Sequence, residues 1–172
     1  MNTTRPNSSP TPAAPSATRR RFPVAAVLAD RLDDTAVVDA AVRLAAARGA
    51  PLLLIAVTPA PPPRAGAAHP DSVAARAVLG RAVPRLARAG ITHQTAVCHR
   101  PAVRGSGRLH AAKGLLDTAA LHGCSLLVVS RSGPAGLDAR TVMEAATIRG
   151  GPLVHAASPV PWAPPAVSRP GR

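Results

Sequence analysis

Short, continuous apolar runs alternate with longer segments of helical period through the middle of the chain. Residues 23–29 form the first run, and Asp33-Asp34 then open a segment that places Val37, Val38, Ala41, Leu44 and Ala45 on one side. Gly49 ends that predicted helix in the manner of a C-cap glycine. A second run, 52–57, reads as a buried strand. After a proline-rich stretch, Asp71 or Ser72 is placed to cap a helix running to about Ala89, with Val78, Leu79, Val83 and Leu86 inward, Pro84 as a kink and Gly90 as its end. Residues 91–98 read as a weaker strand, 109–121 as a helix, 126–129 as a strand, 138–149 as a helix and 153–157 as a last strand.

A sheet wetted on one face shows period-two alternation, whereas a parallel sheet covered on both faces shows unbroken apolar strands. The order βαβαβαβαβ therefore predicts one three-layer α/β domain with a five-stranded parallel sheet. Its limits follow from proline: 14 of the 20 prolines fall before Arg19, between Pro59 and Pro70, or after Ser158. Residues 1–21 read as a disordered basic arm, 22–158 as the domain, and 159–172 as a polyproline-like tail.

Composition narrows the function classes. Of the 21 basic residues, 20 are arginine and Lys113 is the single lysine, so the net charge of +13 resembles a coding bias as much as a binding surface. Residues 22–158 carry 15 basic and all 8 acidic side chains, and the remaining six basic residues sit on the tails. Cys98 and Cys124 form no C-x-x-C pair and no disulfide framework, which points to a reducing cytoplasm. The apolar stretch 51–63 is too short for a membrane span and is broken by proline. Thr18-Arg19-Arg20-Arg21-Phe22 has the look of a twin-arginine signal, but Asp30, Asp33 and Asp34 cut its apolar stretch short, which favours a basic tail entering a buried strand.

In open α/β sheets, ligands sit outside the carboxyl ends of the strands. That singles out Asp30, Thr58, the segment from Arg100 to Gly107, and the segment from Ser130 to Gly136. A strand ending at Asp30, a strand 52–57 leading to Pro59, and Leu126-Leu127-Val128-Val129 followed by Ser130-Arg131-Ser132-Gly133-Pro134-Ala135-Gly136 resemble the universal stress protein (UspA-like) family. The resemblance covers residues 22–158. It implies a Rossmann- or flavodoxin-like fold of the adenine nucleotide α-hydrolase type, commonly a homodimer with its last strand as the pairing edge.

In ATP-binding members of that family the aspartate ending the first strand lies near the ribose. The end of the second strand contacts adenine, and a G-x2-G-x9-G-(S/T) stretch wraps the phosphates. Asp30, Val57, Gly133 and Gly136 match, with Ser130 and Arg131 beside them. Glycines admit backbone N–H groups to phosphate oxygens, and a helix start adds partial positive charge. The final element departs: nine residues beyond Gly136 stands Ala146-Thr147 in place of Gly-Ser or Gly-Thr. Were Thr147 the phosphate threonine, too few residues would remain for a last helix before Gly150-Gly151-Pro152. The preferred alternative makes 139–149 that helix, with Asp138 as N-cap and a phosphate loop shortened by about seven residues. An anion at Asp138, only partly offset by Arg131 and Arg140, then stands where a triphosphate would lie.

Other signals are weaker. Arg104-Gly105-Ser106-Gly107-Arg108 reads as a solvated turn rather than an anion cradle, and Arg81, Arg85 and Arg88 as one charged helix face. With only Phe22 and Trp162 as aromatics, no platform exists for specific nucleic-acid binding. No His/Cys spacing suits a metal, His155 reads as a core or edge histidine, and no catalytic constellation emerges. The expectation is a cytoplasmic stress-response or regulatory binding module that acts through protein partners, with no reaction that the residues assign to it. Its nucleotide pocket is degenerate or absent, with Thr58, Ser130, Arg131, Thr141 and Thr147 as residues to test. The alternative is an ATP-binding protein with slow hydrolysis, built on Asp30, Gly133, Gly136 and Thr147.

Overall fold

The computed structural model describes residues 22–60, 73–100, 107 and 109–158. The elements are β1 (Val24–Leu28), α1 (Asp34–Arg48), β2 (Leu52–Pro59), α2 (Val73–Ala89), β3 (His93–Arg100), α3 (His110–Leu121), β4 (Leu126–Ser130), α4 (Ala139–Arg149) and β5 (Leu153–Ala157). All four strand pairings are parallel, and the sheet order is β3-β2-β1-β4-β5. The predicted five-stranded α/β architecture is the one found.

Strand alternation divides the core into two. Val24, Ala26, Leu28, Leu52 and Leu54 face α1 and α2, where Val37, Val38, Ala41, Val78 and Leu86 meet them. Ala25, Val27, Leu53, Ile55 and Leu127 face α3 and α4, where Leu115, Leu116, Val142 and Ala145 close the second layer. Every residue of β1 and β4 is buried, which explains why these central strands carry no polar alternation before their ends. Each fully buried Leu, Ile or Val contributes about 1.5–3 kcal/mol over its exposed state, and small alanines on the helices let them lie close to the sheet.

The edges differ. β3 and β5 have exposed positions along much of their length, since each pairs on one side only. His155 is exposed on β5, which resolves the core-or-edge alternative in favour of the edge. The third strand was expected over 91–98 but begins two residues later and ends two later. Its register starts at Leu52↔His93 and runs to Pro59↔Arg100, because β2 itself extends past Val57. Beyond Ala56, β2 has only β3 as a neighbour, so Pro59 at its end removes no bond to β1.

Val83, expected to face inward, is 39% exposed, while Ala75, Val78, Leu79, Ala82 and Leu86 form the buried stripe of α2. The inward row follows the i, i+3, i+4, i+7 spacing of those five residues, and Val83 falls beside it. Pro84 is accommodated inside the helix. Gly150 ends α4 with φ 64°, its N–H donating to Ala146 O, a left-handed position that suits glycine. The basic arm, the proline-rich stretch 61–72 with its Asp71 or Ser72 cap, most of the Arg100 to Gly107 segment and the C-terminal tail lie outside the described residues.

Candidate functional site

The strand order reverses between β1 and β4, and the crevice outside their carboxyl ends is where this architecture binds ligands. The turn after β1 supplies one wall. Asp30 has φ 60°, the left-handed region that Asp tolerates better than most residues. Its carboxylate pairs with the Arg81 guanidinium from α2. Asp34 folds the same turn closed: its carboxylate accepts from Ala29 N at 3.1 Å and Arg31 N at 3.0 Å. Burial pushes the Asp34 carboxyl up from its ordinary value of 3.8, against the pull of those backbone donors.

The loop between β4 and α4 supplies the other wall. Buried Ser130 donates its hydroxyl hydrogen bond to the Asp33 carboxylate and accepts one from Ser132 N at 3.1 Å. This bond runs straight across the β1–β4 crevice. Asp33 is also 3.4 Å from Arg31 Nε. Arg131 is exposed, and its backbone N–H donates to Ala157 O at 2.9 Å, tying the loop to the end of β5. The remainder of the loop turns on itself: Leu137 N donates to Pro134 O at 2.8 Å, Gly136 has φ 80°, and Gly133 lies against the Leu137 carbonyl.

At the start of α4 the anion position is already taken. Asp138 is the N-cap, its carboxylate accepting from Thr141 N at 3.0 Å and from Thr141 Oγ1 at 2.8 Å. The helix spans the residues that the shortened-loop alignment requires. The Asp side chain takes up one first-turn backbone donor, the Thr141 N–H, and places negative charge where the helix dipole would favour a phosphate.

The residues proposed from the sequence are therefore distributed unevenly. Asp30, Ser130, Arg131, Gly133 and Gly136 come together around the crevice, and Val57 is buried at the neighbouring end of β2. Thr58, one residue further, is buried and shares a hydrogen bond of 2.9 Å with His99 Nδ1 on β3. Thr141 serves the cap. Thr147 is not brought to the site: it is exposed in the last turn of α4, its hydroxyl donating to Met143 O at 2.9 Å. At 1.5 Å per residue it lies about 13 Å along the helix from Asp138.

Sequence reasoning missed Asp33, Asp34 and Arg81 as members of this site. The acidic pair was visible only as a helix opening, and no local pattern joins Asp33 to a serine 97 positions later or Asp30 to an arginine 51 positions later. Arg81 and Arg85 were read as a solvated face, yet they pair with Asp30 and Asp39, the latter at 2.8 Å. Among the described residues no group of three His, Cys, Asp or Glu side chains could hold a metal ion, and no helix is long and apolar enough to cross a membrane. Cys98 and Cys124 are free and buried.

No family model matches the sequence, and comparison with curated proteins finds no match. Solved structures do match. A protein of the universal stress protein family from Burkholderia pseudomallei is 19% identical, with a TM-score of 0.54, covering 83% of this chain and 100% of its own. The universal stress protein from Archaeoglobus fulgidus in complex with dAMP is 20% identical, with a TM-score of 0.54 and coverage of 81% and 99%. A universal stress protein in complex with cAMP is 19% identical, with a TM-score of 0.60 and coverage of 81% and 98%. The likeness extends over nearly the whole length of each of these proteins, and what it establishes is architecture: this chain is built on the fold of the universal stress proteins.

Proposed function

We propose that the chain is a cytoplasmic regulatory module of the universal stress protein type whose nucleotide crevice no longer admits a triphosphate. The observation that carries this reading is the Asp138 carboxylate at the start of α4, which already holds the Thr141 N–H and hydroxyl and puts a negative charge at the helix N-terminus. Three further features act in the same direction. The Ser130–Asp33 bond spans the crevice, Asp30 is engaged by Arg81, and Gly133 is packed so closely on the Leu137 carbonyl that a Cβ would stand 2.5 Å from its oxygen. Bringing phosphate charge there would set it beside two carboxylates, at a cost that rises as water is excluded.

The module would act by linking a partner or a second copy to one of two populations, with no turnover. Among the described residues no paired acid and base converge on the crevice, and the Ser130 hydroxyl is held by the Asp33 carboxylate with no imidazole behind it. The competing reading, an ATP site with slow hydrolysis, needs Thr147 beside Gly136. It draws on the two neighbours named as complexes with dAMP and cAMP, which keep adenine binding in view for this fold.

Equilibrium dialysis of the full chain against Mg-ATP, AMP and cAMP separates these. The degenerate-pocket reading expects no protein-dependent retention of ATP. Stoichiometric retention of ATP that disappears in Thr147→Ala would establish the competing reading in its place.

A further inference from the structure

We infer that the outer groove between α3 and α4, where Lys113, without a carboxylate partner among the described residues, shares the lining with an aliphatic wall of Leu109, Ala145 and Ile148, binds an aliphatic carboxylate. This site is separate from the β1–β4 crevice and does not depend on what the crevice binds.

The groove has a volume of about 610 Å³ and is lined by those four residues together with Gly107, His110 and Arg149. Volumes of roughly 300–1,000 Å³ are typical of small-molecule sites. Its apolar members include Ile148, which is 68% exposed, a branched side chain left in water at the end of a helix. Among the described residues no aromatic side chain lines the groove, so a ring finds no stacking partner among them and a flexible alkyl chain is the better match.

Charge selects the head group. Among the described residues, the ionisable members of this lining are Lys113, Arg149 and His110, and none is acidic. Arg149 is already committed, with Nη2 at 2.6 Å from Asp117 and Nη1 at 3.4 Å from Lys113 O, which fixes this turn of α3 against the end of α4. Lys113 is different: among the described residues no carboxylate pairs with it, and it is the only lysine in a chain whose other 20 cations are arginine. With the guanidinium fork taken, one compact ammonium remains, a single positive charge that balances a singly charged carboxylate but not a phosphate monoester carrying about two negative charges at neutral pH. The ligand class is thus a monoanionic aliphatic acid whose chain lies along Ile148 and Ala145 with its carboxylate at Lys113.

Titration calorimetry of the full chain with decanoate, below its aggregation concentration, tests this against decan-1-ol and decyl phosphate. Saturable decanoate binding is expected, weakened about tenfold by Lys113→Gln, as loss of one charge-assisted contact implies, and largely retained in Lys113→Arg. Ile148→Asp, at an exposed position, should weaken it as well. The inference is overturned if decanoate gives no saturable heat, if decan-1-ol binds equally well, if decyl phosphate is the tighter ligand, or if Lys113→Gln binds as the wild type does. Nucleotide retention in the dialysis above leaves each of these outcomes unaffected, so the two accounts fail separately.

Discussion

Gly133 shows how narrowly the β4–α4 loop is built. A Cβ there would stand 2.5 Å from the Leu137 carbonyl oxygen and 2.9 Å from its carbon, contacts that backbone atoms can relieve only by moving the loop. Gly133→Ala should therefore destabilise by about 1–3 kcal/mol and lower the thermal midpoint by several degrees, read by calorimetry. An unchanged midpoint would mean that the loop is not folded onto itself. The thiols give a second residue-level expectation. Burial pushes Cys124 up from 9.0 to about 11 and raises Cys98 as well, although a hydrogen bond from Thr118 opposes the latter. At neutral pH both are protonated and shielded, so each should react with a thiol reagent only as fast as the protein opens. For Cys124 the folded value lies above the unfolded one, so its contribution to stability is present below about pH 9 and is lost as pH rises towards about 11. Immediate reaction of both thiols in the native protein would contradict their burial.

The elements were legible in the sequence to different degrees, for physical reasons. β1 and β4 are buried on both faces, so their unbroken apolar runs could be read without ambiguity. β3 is an edge strand with five exposed residues among its eight, and so little patterning survived that its limits were read two residues early. α4 is the element on which the functional account turns, and Asp138 announced its start because a cap is a local device. Asp138→Ala should remove about 1 kcal/mol, a few degrees in midpoint, by freeing the Thr141 N–H from its 3.0 Å bond. A loss much smaller than this would show that the cap is not formed in solution. The bonds that close the crevice, from Ser130 to Asp33 and from Arg81 to Asp30, could not be read at all. They join side chains on different elements whose proximity exists only once the sheet has ordered itself.

At the scale of the molecule, the order β3-β2-β1-β4-β5 creates one switch-point crevice, bordered by the turn after β1 and the loop after β4. Asp33 from the start of α1 is bonded to Ser130 at the end of β4, Asp138 caps α4, and in the function proposed above these carboxylates are what close the crevice to a triphosphate. The fold is thus that of the universal stress proteins, while the chemistry at its crevice follows this chain's own side chains, as expected when sites vary on a shared architecture. The arginine excess adds little to that chemistry: Arg81, Arg85 and Arg149 are held by Asp30, Asp39 and Asp117 on the helices and turns around them. Thermal unfolding of the full chain with and without saturating Mg-ATP tests the closed crevice most directly. A ligand at about 100 times its dissociation constant adds roughly 2.7 kcal/mol, which moves a domain of this size by several degrees. The account predicts an unchanged midpoint with ATP; a rise of several degrees would show that the crevice opens to a triphosphate and would contradict it.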